Sequence, residues 1–247
     1  QTPEVRYVRK TGSQWEILRV FDSFSANSYV SLAMDNEDNP HIIYLDGNTL
    51  NVRHAYYTDE TGWIDSVVDA GNQNCLDMGI HIDDRNVLRM TYQNSDGFLI
   101  LAELSDGEWK GWVIDNRTGS GEYSDIVVDA EGHPHIVYNN IETGILHYAA
   151  LNENSWVIED VDSNGNVGTF PSIEVSKNFE IHVSYYDNTN ANLKYAHGRN
   201  HQWDVYTVDD QGRVGKWNSL ALDSDGIPYI TYVNEDREVL MLAWASR

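Results

Sequence analysis

The sequence has one cysteine, Cys75, in 247 residues. That excludes an intrachain disulfide and any thiol-rich metal cluster. No apolar run approaches membrane-spanning length. Cations are scarce: 16 Lys and Arg stand against 39 Asp and Glu, for a formal charge of −23. The Lys/Arg patch that neutralises phosphate is missing, which argues against nucleic acid and anionic membranes as partners. A neutral glycan, a cation or a basic partner is compatible with such a surface. Helical periodicity is absent over any useful length. Nucleophile-elbow, Walker-loop and Cys/His zinc spacings are absent as well, and no cofactor is expected. DSNGN (162–166) and DNEDN (35–39) start like calcium loops. Position 173 is Ile, however, and Asp46 lies past a full strand, so both stretches read as turns and no metal is expected. The chain opens on QTPEV without Met, which reads as a processed or trimmed start and sets an expectation of export.

Apolar and aromatic residues, at 41% and 11%, suffice for a core, so disorder is not expected. Trp15, Trp63, Trp109, Trp156 and Trp203 stand 48, 46, 47 and 47 residues apart. A second marker keeps that period: SLAMD (31–35), GIHID (79–83), DIVVD (125–129), SIEVS (172–176) and SLALD (219–223). Two markers holding one period five times define an internal repeat. Each unit carries four short segments rich in β-branched and aromatic residues, parted by Gly, Asn and Asp clusters. In the third unit these are YSDIVVD, HPHIVY, ILHYAAL and WVIEDVD. Four antiparallel strands per unit make the blade of a β-propeller, which hides most sheet edges. The expected fold is all-β, a single five-bladed β-propeller over residues 1–247.

The first segment of each unit is apolar on one face, as at Leu32/Met34, Ile126/Val128 and Leu220/Leu222. Its other face is small or polar, as at Ser31/Ala33 and Ser219/Ala221. Small groups suit the crowded axis, so this strand is placed innermost and the Trp-initiated strand outermost. Residues 14–20 are then expected to supply the outermost strand of the last blade and close the ring. Residues 5–10 and 239–245 both read as a third strand, which leaves one strand surplus.

The motif SLALDSDGIPYITY (219–232) and the segment LKYA (193–196) resemble secreted bacterial repeat proteins of pattern S-x-A-x-D-x-x-G-x-P-H-I-x-Y, and that resemblance covers nearly the whole chain. The five-unit architecture also resembles tachylectin, a sugar-binding propeller. Five-bladed arabinanase-type glycoside hydrolases share it, with less regular repeats. The resemblance implies a fold; activity has to be read from a site.

His41, His135 and His182 share one repeat position, filled by Arg89 and Tyr229 in the other units. The preceding strands end at Asp35, Asp83, Asp129, Ser176 and Asp223. A tight hairpin is expected to set the two positions opposite each other, as a polar pair that pins the register. Five such pairs around a ring do not form one active site. His54, His147, His197 and His201 fall on outer segments or turns and receive no role. The outer-strand tryptophans are expected to cover the neighbouring blade.

Two residues before each inner strand stand Tyr29, Asp77, Tyr123, Phe170 and Trp217. Four aromatics in a five-fold ring at the channel mouth make a sugar platform, since aromatic faces stack on pyranose C–H faces. Asp46, Asn94, Asn140, Asp187 and Asn234, at the ends of the second strands, are candidates for the hydroxyls. The second unit departs most from its sisters, with Asp77, His81 and Asp83 on one strand face and Arg89 adjacent. Asp125 and Glu174 of the next units extend this set. Paired carboxylates in different environments suit glycosidic cleavage, and Arg89 with His81 suits proton abstraction from a uronate. Three functions are therefore expected in turn. They are a secreted lectin-like propeller with a glycan at the channel mouth or between blades, a glycan-cleaving enzyme using the second-unit cluster, and a protein-interaction scaffold.

Overall fold

The computed structural model describes residues 5–21, 29–71, 75–153, 155–199 and 202–245; His201 lies outside them. The chain starts with a hairpin of β1 (Val5–Thr11) and β2 (Gln14–Phe21). Blade one holds β3 (Val30–Met34), β4 (Pro40–Leu45), β5 (Val52–Thr58) and β6 (Gly62–Asp69). Blade two holds β7 (Gly79–Ile82), β8 (Leu88–Gln93), β9 (Leu99–Ser105) and β10 (Glu108–Asp115). Blade three holds β11 (Ser120–Val128), β12 (Pro134–Asn140), β13 (Ile145–Asn152) and β14 (Ser155–Asp162). Blade four holds β15 (Val167–Val175), β16 (Ile181–Asp187), β17 (Asn192–Arg199) and β18 (Gln202–Asp209). Blade five holds β19 (Val214–Leu222), β20 (Pro228–Asn234) and β21 (Val239–Trp244). Every sheet is antiparallel and pairs in chain order, giving a five-bladed β-propeller. The first strands β3, β7, β11, β15 and β19 pack on one another in succession. They take the innermost place, and the Trp-initiated strands the outermost.

The core consists of layers between blades rather than a single nucleus. Ile43 and Val52 of blade one meet Met78, Met90 and Tyr92 of blade two. Leu146 and Tyr148 of blade three meet Val167, Ile173 and Val183 of blade four. Close approach at these junctions needs glycine. Leu193 is fully buried, and a Cβ on Gly215 of blade five (φ 110°) would lie 2.7 Å from its Cα. Gly168 stands over Leu146 in the same way.

The ring closure differs from the sequence expectation. β2 pairs with β1 along its length, from Thr11 opposite Gln14 to Val5 opposite Phe21, and not with the last blade. Val5, Tyr7 and Val20 pack on Ile42, Tyr44 and Ala55 of blade one. The hairpin thus stands as a two-stranded sheet of its own, packed against blade one. Residues 239–244 form the third strand of blade five, whereas residues 5–11 belong to the separate two-stranded sheet and complete none of the five blades. Leu240 holds in blade five the place that buried Leu193 holds in blade four, and it is 73% exposed.

The hairpin locks also differ in detail. The residue opposite His41 is Ala33, not Asp35. Asp35 caps the turn by accepting the Glu37 and Asn39 N–H groups through Oδ1, and its Oδ2 reaches the His41 ring at 3.5 Å. Asp83–Arg89 (3.0 Å) and Asp129–His135 (3.3 Å) repeat the contact. In blade four Ser176 is too short to reach, and His182 bonds the Tyr195 hydroxyl at 2.5 Å.

Candidate functional site

Three of the predicted mouth aromatics form a continuous arc. The Tyr123 and Phe170 ring centroids lie 4.9 Å apart, and those of Phe170 and Trp217 5.6 Å apart. Each inner strand bulges where the arc residue sits. Phe170 (φ 52°) and Trp217 (φ 50°) take the left-handed backbone region, which costs a bulky residue about 1–3 kcal/mol. Hydrogen bonds hold the bulges in place. Asn218 Nδ2 donates to the Phe170 carbonyl at 2.7 Å, and the Tyr123 N–H donates to Asn139 Oδ1 at 3.2 Å. Trp217 is 53% exposed and carries Lys216 Nζ 5.9 Å from its ring centroid. Burial raises the Tyr29 hydroxyl pKa, and the charges of Asp77 and Glu122 add to the shift.

The polar residues assigned to this platform are occupied elsewhere. Asp46 accepts the Asn48 N–H and the Thr49 hydroxyl; Asn94 accepts the Asp96 and Phe98 N–H groups. Asn140 caps Glu142 and Thr143, Asp187 caps Thr189 and Asn190, and Asn234 caps Arg237. Each side-chain oxygen caps its own turn, the ordinary use of Asx residues there, and Asn140 Nδ2 also donates to the Thr118 carbonyl and the Ser120 hydroxyl.

The second-unit cluster is brought together only in part. His81 lies directly opposite Arg89 on the paired strand. Arg89 is already committed, with Nη1 3.0 Å from Asp83 and Nε 2.8 Å from Glu103. Asp77, Asp125 and Glu174 form an electrostatic ladder from blade to blade, not one acid pair over one cavity. Burial and the charge of Asp125 push Asp77 up to about 7, and burial, with Glu174, pushes Asp125 up to about 7. Asp125 also bridges blades three and four, since its Oδ2 accepts the Ile173 N–H at 3.0 Å. Glu174 and His81 instead line a cavity of about 400 Å³ with Asp83, Arg85, Asp129 and Lys177.

A different site recurs between blades. The cleft between blades three and four, about 330 Å³, is lined by His135, Tyr148, Glu159, Phe179, Arg199 and Trp203. Trp203 stands edge-on to Tyr148 at 5.3 Å and donates its indole N–H to Glu159 Oε2 at 3.2 Å. One blade earlier the equivalent cleft presents Arg89, Leu101, Trp112, His133 and Trp156. One blade later it presents His182, Tyr195, His197 and Tyr206. Phe179 holds the left-handed turn position (φ 61°) that Gly132 and Gly226 fill in blades three and five.

No protein-family model matches the chain, and no curated protein does. Solved structures do. A triple mutant of AofleA from Arthrobotrys oligospora superposes at TM-score 0.70 and 14% identity, over 99% of this chain and 77% of that one. A lectin from Burkholderia pseudomallei gives 0.69 at 12%, over 95% and 72%. The Aleuria aurantia lectin, a six-bladed β-propeller with a fucose recognition mode of its own, gives 0.65 at 13%, over 91% and 78%. At these identities the likeness establishes a shared propeller fold.

Sequence reasoning does not bring Tyr148, Glu159, Arg199 and Trp203 together in one cleft, because they come from two units. A signal was present in the repeat itself. Leu101, Tyr148 and Tyr195 are equivalent, as are Trp112, Glu159 and Tyr206, and both positions change chemistry from unit to unit while the scaffold positions do not.

Proposed function

We propose that this chain is a lectin-type carbohydrate-binding propeller whose ligands sit in the clefts between blades. The observation that carries this reading is the cleft of blades three and four. An indole and a phenol offer apolar faces there, beside a carboxylate, a guanidinium and an imidazole. Sugars need that mixture, because C–H faces stack on aromatic rings while ring hydroxyls take directed polar partners. The recurrence of the cleft with altered linings supports several non-identical sites on one chain. Lectin propellers that share the fold, one of them solved with α-methyl fucoside, make an α-fucoside the first probe. Export belongs to the same proposal, as free glycans and glycoconjugates are chiefly met outside the cytoplasm.

Titration calorimetry with α-methyl fucoside, preceded by a glycan array, tests it. More than one site per chain is expected, with Trp203→Ala removing the tightest. A single site lost in Trp217→Ala but retained in Trp203→Ala would move the ligand to the channel mouth. No binding to any glycan on the array would end the reading.

A further inference from the structure

The turn between β11 and β12 carries Asp129, Glu131 and His133, and His135 follows two residues into β12. We propose that Asp129, Glu131 and His133 form a binding site for a divalent transition-metal ion of the zinc class, with His135 positioning Asp129 from behind. The donor atoms of Asp129, Glu131 and His133 all lie within 4.8 Å of one another. His133 Nδ1 is 3.3 Å from Asp129 Oδ2 and 3.6 Å from Glu131 Oε2. His135 Nε2 lies 3.3 Å from the same Asp129 oxygen. Ligands held about 2.0–2.1 Å from a tetrahedral zinc stand roughly 3.3–3.4 Å from each other. The two edges that His133 makes, at 3.3 and 3.6 Å, come close to those of that polyhedron.

The cradle is built before any ion arrives. Asp129 Oδ1 accepts the Glu131 and His133 N–H groups at 2.9 and 2.8 Å, and this turns Oδ2 towards the imidazoles. His135 Nδ1 is paired with the Tyr148 hydroxyl at 2.5 Å. With Nε2–H donating to Asp129 Oδ2 at 3.3 Å, Nδ1 accepts the Tyr148 hydroxyl, and the ring holds the Asp129 carboxylate in place from the outer shell. Glu131 and His133 are exposed and give an entry path.

Blade one supplies an internal control. Its turn carries Asp35, Glu37 and His41 at the same places, but Asn39 replaces the first histidine and donates to Asp35 Oδ2 at 3.0 Å. The fold therefore accepts asparagine there, and blade three alone combines two imidazoles with two carboxylates in this turn. Imidazole and carboxylate together suit zinc, nickel or copper; calcium prefers an all-oxygen shell.

The test uses the full chain stripped with a chelator. Calorimetry and thermal unfolding are run with zinc chloride and with calcium chloride. One zinc per chain and a concentration-dependent rise in melting temperature are expected, with calcium giving neither. His133→Asn should fold like the parent without metal and bind zinc at least about tenfold more weakly. Exposed Glu131→Gln provides a second variant with the same expected direction. Absence of a zinc effect on the parent, an equal effect of calcium, or zinc binding undiminished in both variants would overturn the site.

Discussion

Tyr138 of β12 donates a 2.8 Å hydrogen bond to Asp115, which lies 23 residues earlier on the outer strand of the preceding blade. Tyr185 makes the same bond to Asp162 at 2.7 Å and Tyr232 to Asp209 at 2.7 Å, each across 23 residues. Burial and Asp69 raise the Tyr92 hydroxyl pKa in the equivalent setting. The second strand of one blade is thus clamped to the rim of the blade before it. Blade one departs from the pattern: Phe21 stands 23 residues before Tyr44, and Tyr44 turns to Asp65 of its own blade at 2.9 Å.

Tyr138→Phe removes only the hydroxyl from a fully buried ring. Hydrogen bonds to charged groups contribute about 1.5–3 kcal/mol each. Asp115 keeps Arg117 and Ser120 as partners, so a loss near 2 kcal/mol is expected rather than unfolding. Urea denaturation measures it. A loss under about 0.5 kcal/mol would mean that the clamp adds nothing to cohesion between blades.

The acids of the fold pull in opposite directions with pH. Hydrogen bonds from Arg117, Ser120 and Tyr138 hold Asp115 down at about 2 despite its burial. Its contribution is present above about pH 4 and lost as pH falls towards 2. Asp77 and Asp125, raised to about 7, behave inversely. Their contribution is full below about pH 4 and is lost as pH rises through 7. Buried histidines such as His54, lowered to about 3, oppose this by losing stability as pH falls below about 6.5. A comparison with Asp77→Asn isolates one group, because the amide oxygen can still accept the Met78 N–H. Parent and variant should unfold alike near pH 4. At pH 8 the variant should be more stable, by on the order of 2 kcal/mol. A gap that does not widen with pH would show that Asp77 ionises freely in the fold.

The sequence carries the propeller plainly and the sites poorly, for a physical reason. The tryptophan period and the inner-strand marker are properties of single units, so blade number and strand order follow from periodicity. The mouth arc was legible for the same reason, because Tyr123, Phe170 and Trp217 repeat at one position. Ring closure is not a property of one unit. β1 and β21 have interchangeable third-strand patterns, and only the packing of Val20 on Ile42 and Tyr44 decides where the hairpin lies. The Tyr138–Asp115 clamp and the Trp203–Glu159 cleft likewise join residues from different units. The Asx residues are ambiguous in the sequence because a turn cap and a sugar ligand call for the same side chain, and in the structure their oxygens accept turn N–H groups.

Phe179 concentrates the relation between strain and site. At the equivalent turn position the other blades carry Asp38, Asn86, Gly132 and Gly226, all in the left-handed region. Asp, Asn and Gly tolerate that conformation, whereas a bulky ring resists it at a cost of about 1–2 kcal/mol. The ring is 38% exposed and faces the cleft of blades three and four. Phe179→Asn places in blade four the residue that blade two already uses. Truncating a well-buried Phe typically costs about 3–5 kcal/mol. Phe179 is exposed in part and loses less, on the order of 2 kcal/mol, so the relief of strain should leave stability within about 1 kcal/mol of the parent. Glycan binding in the blade three–four cleft should weaken about tenfold, as expected when an apolar wall is lost. Denaturation and calorimetry on the same preparation read both quantities. Unchanged binding would make Phe179 a tolerated irregularity of one turn, whereas a large fall in stability would show that the ring is held for packing and not for the cleft.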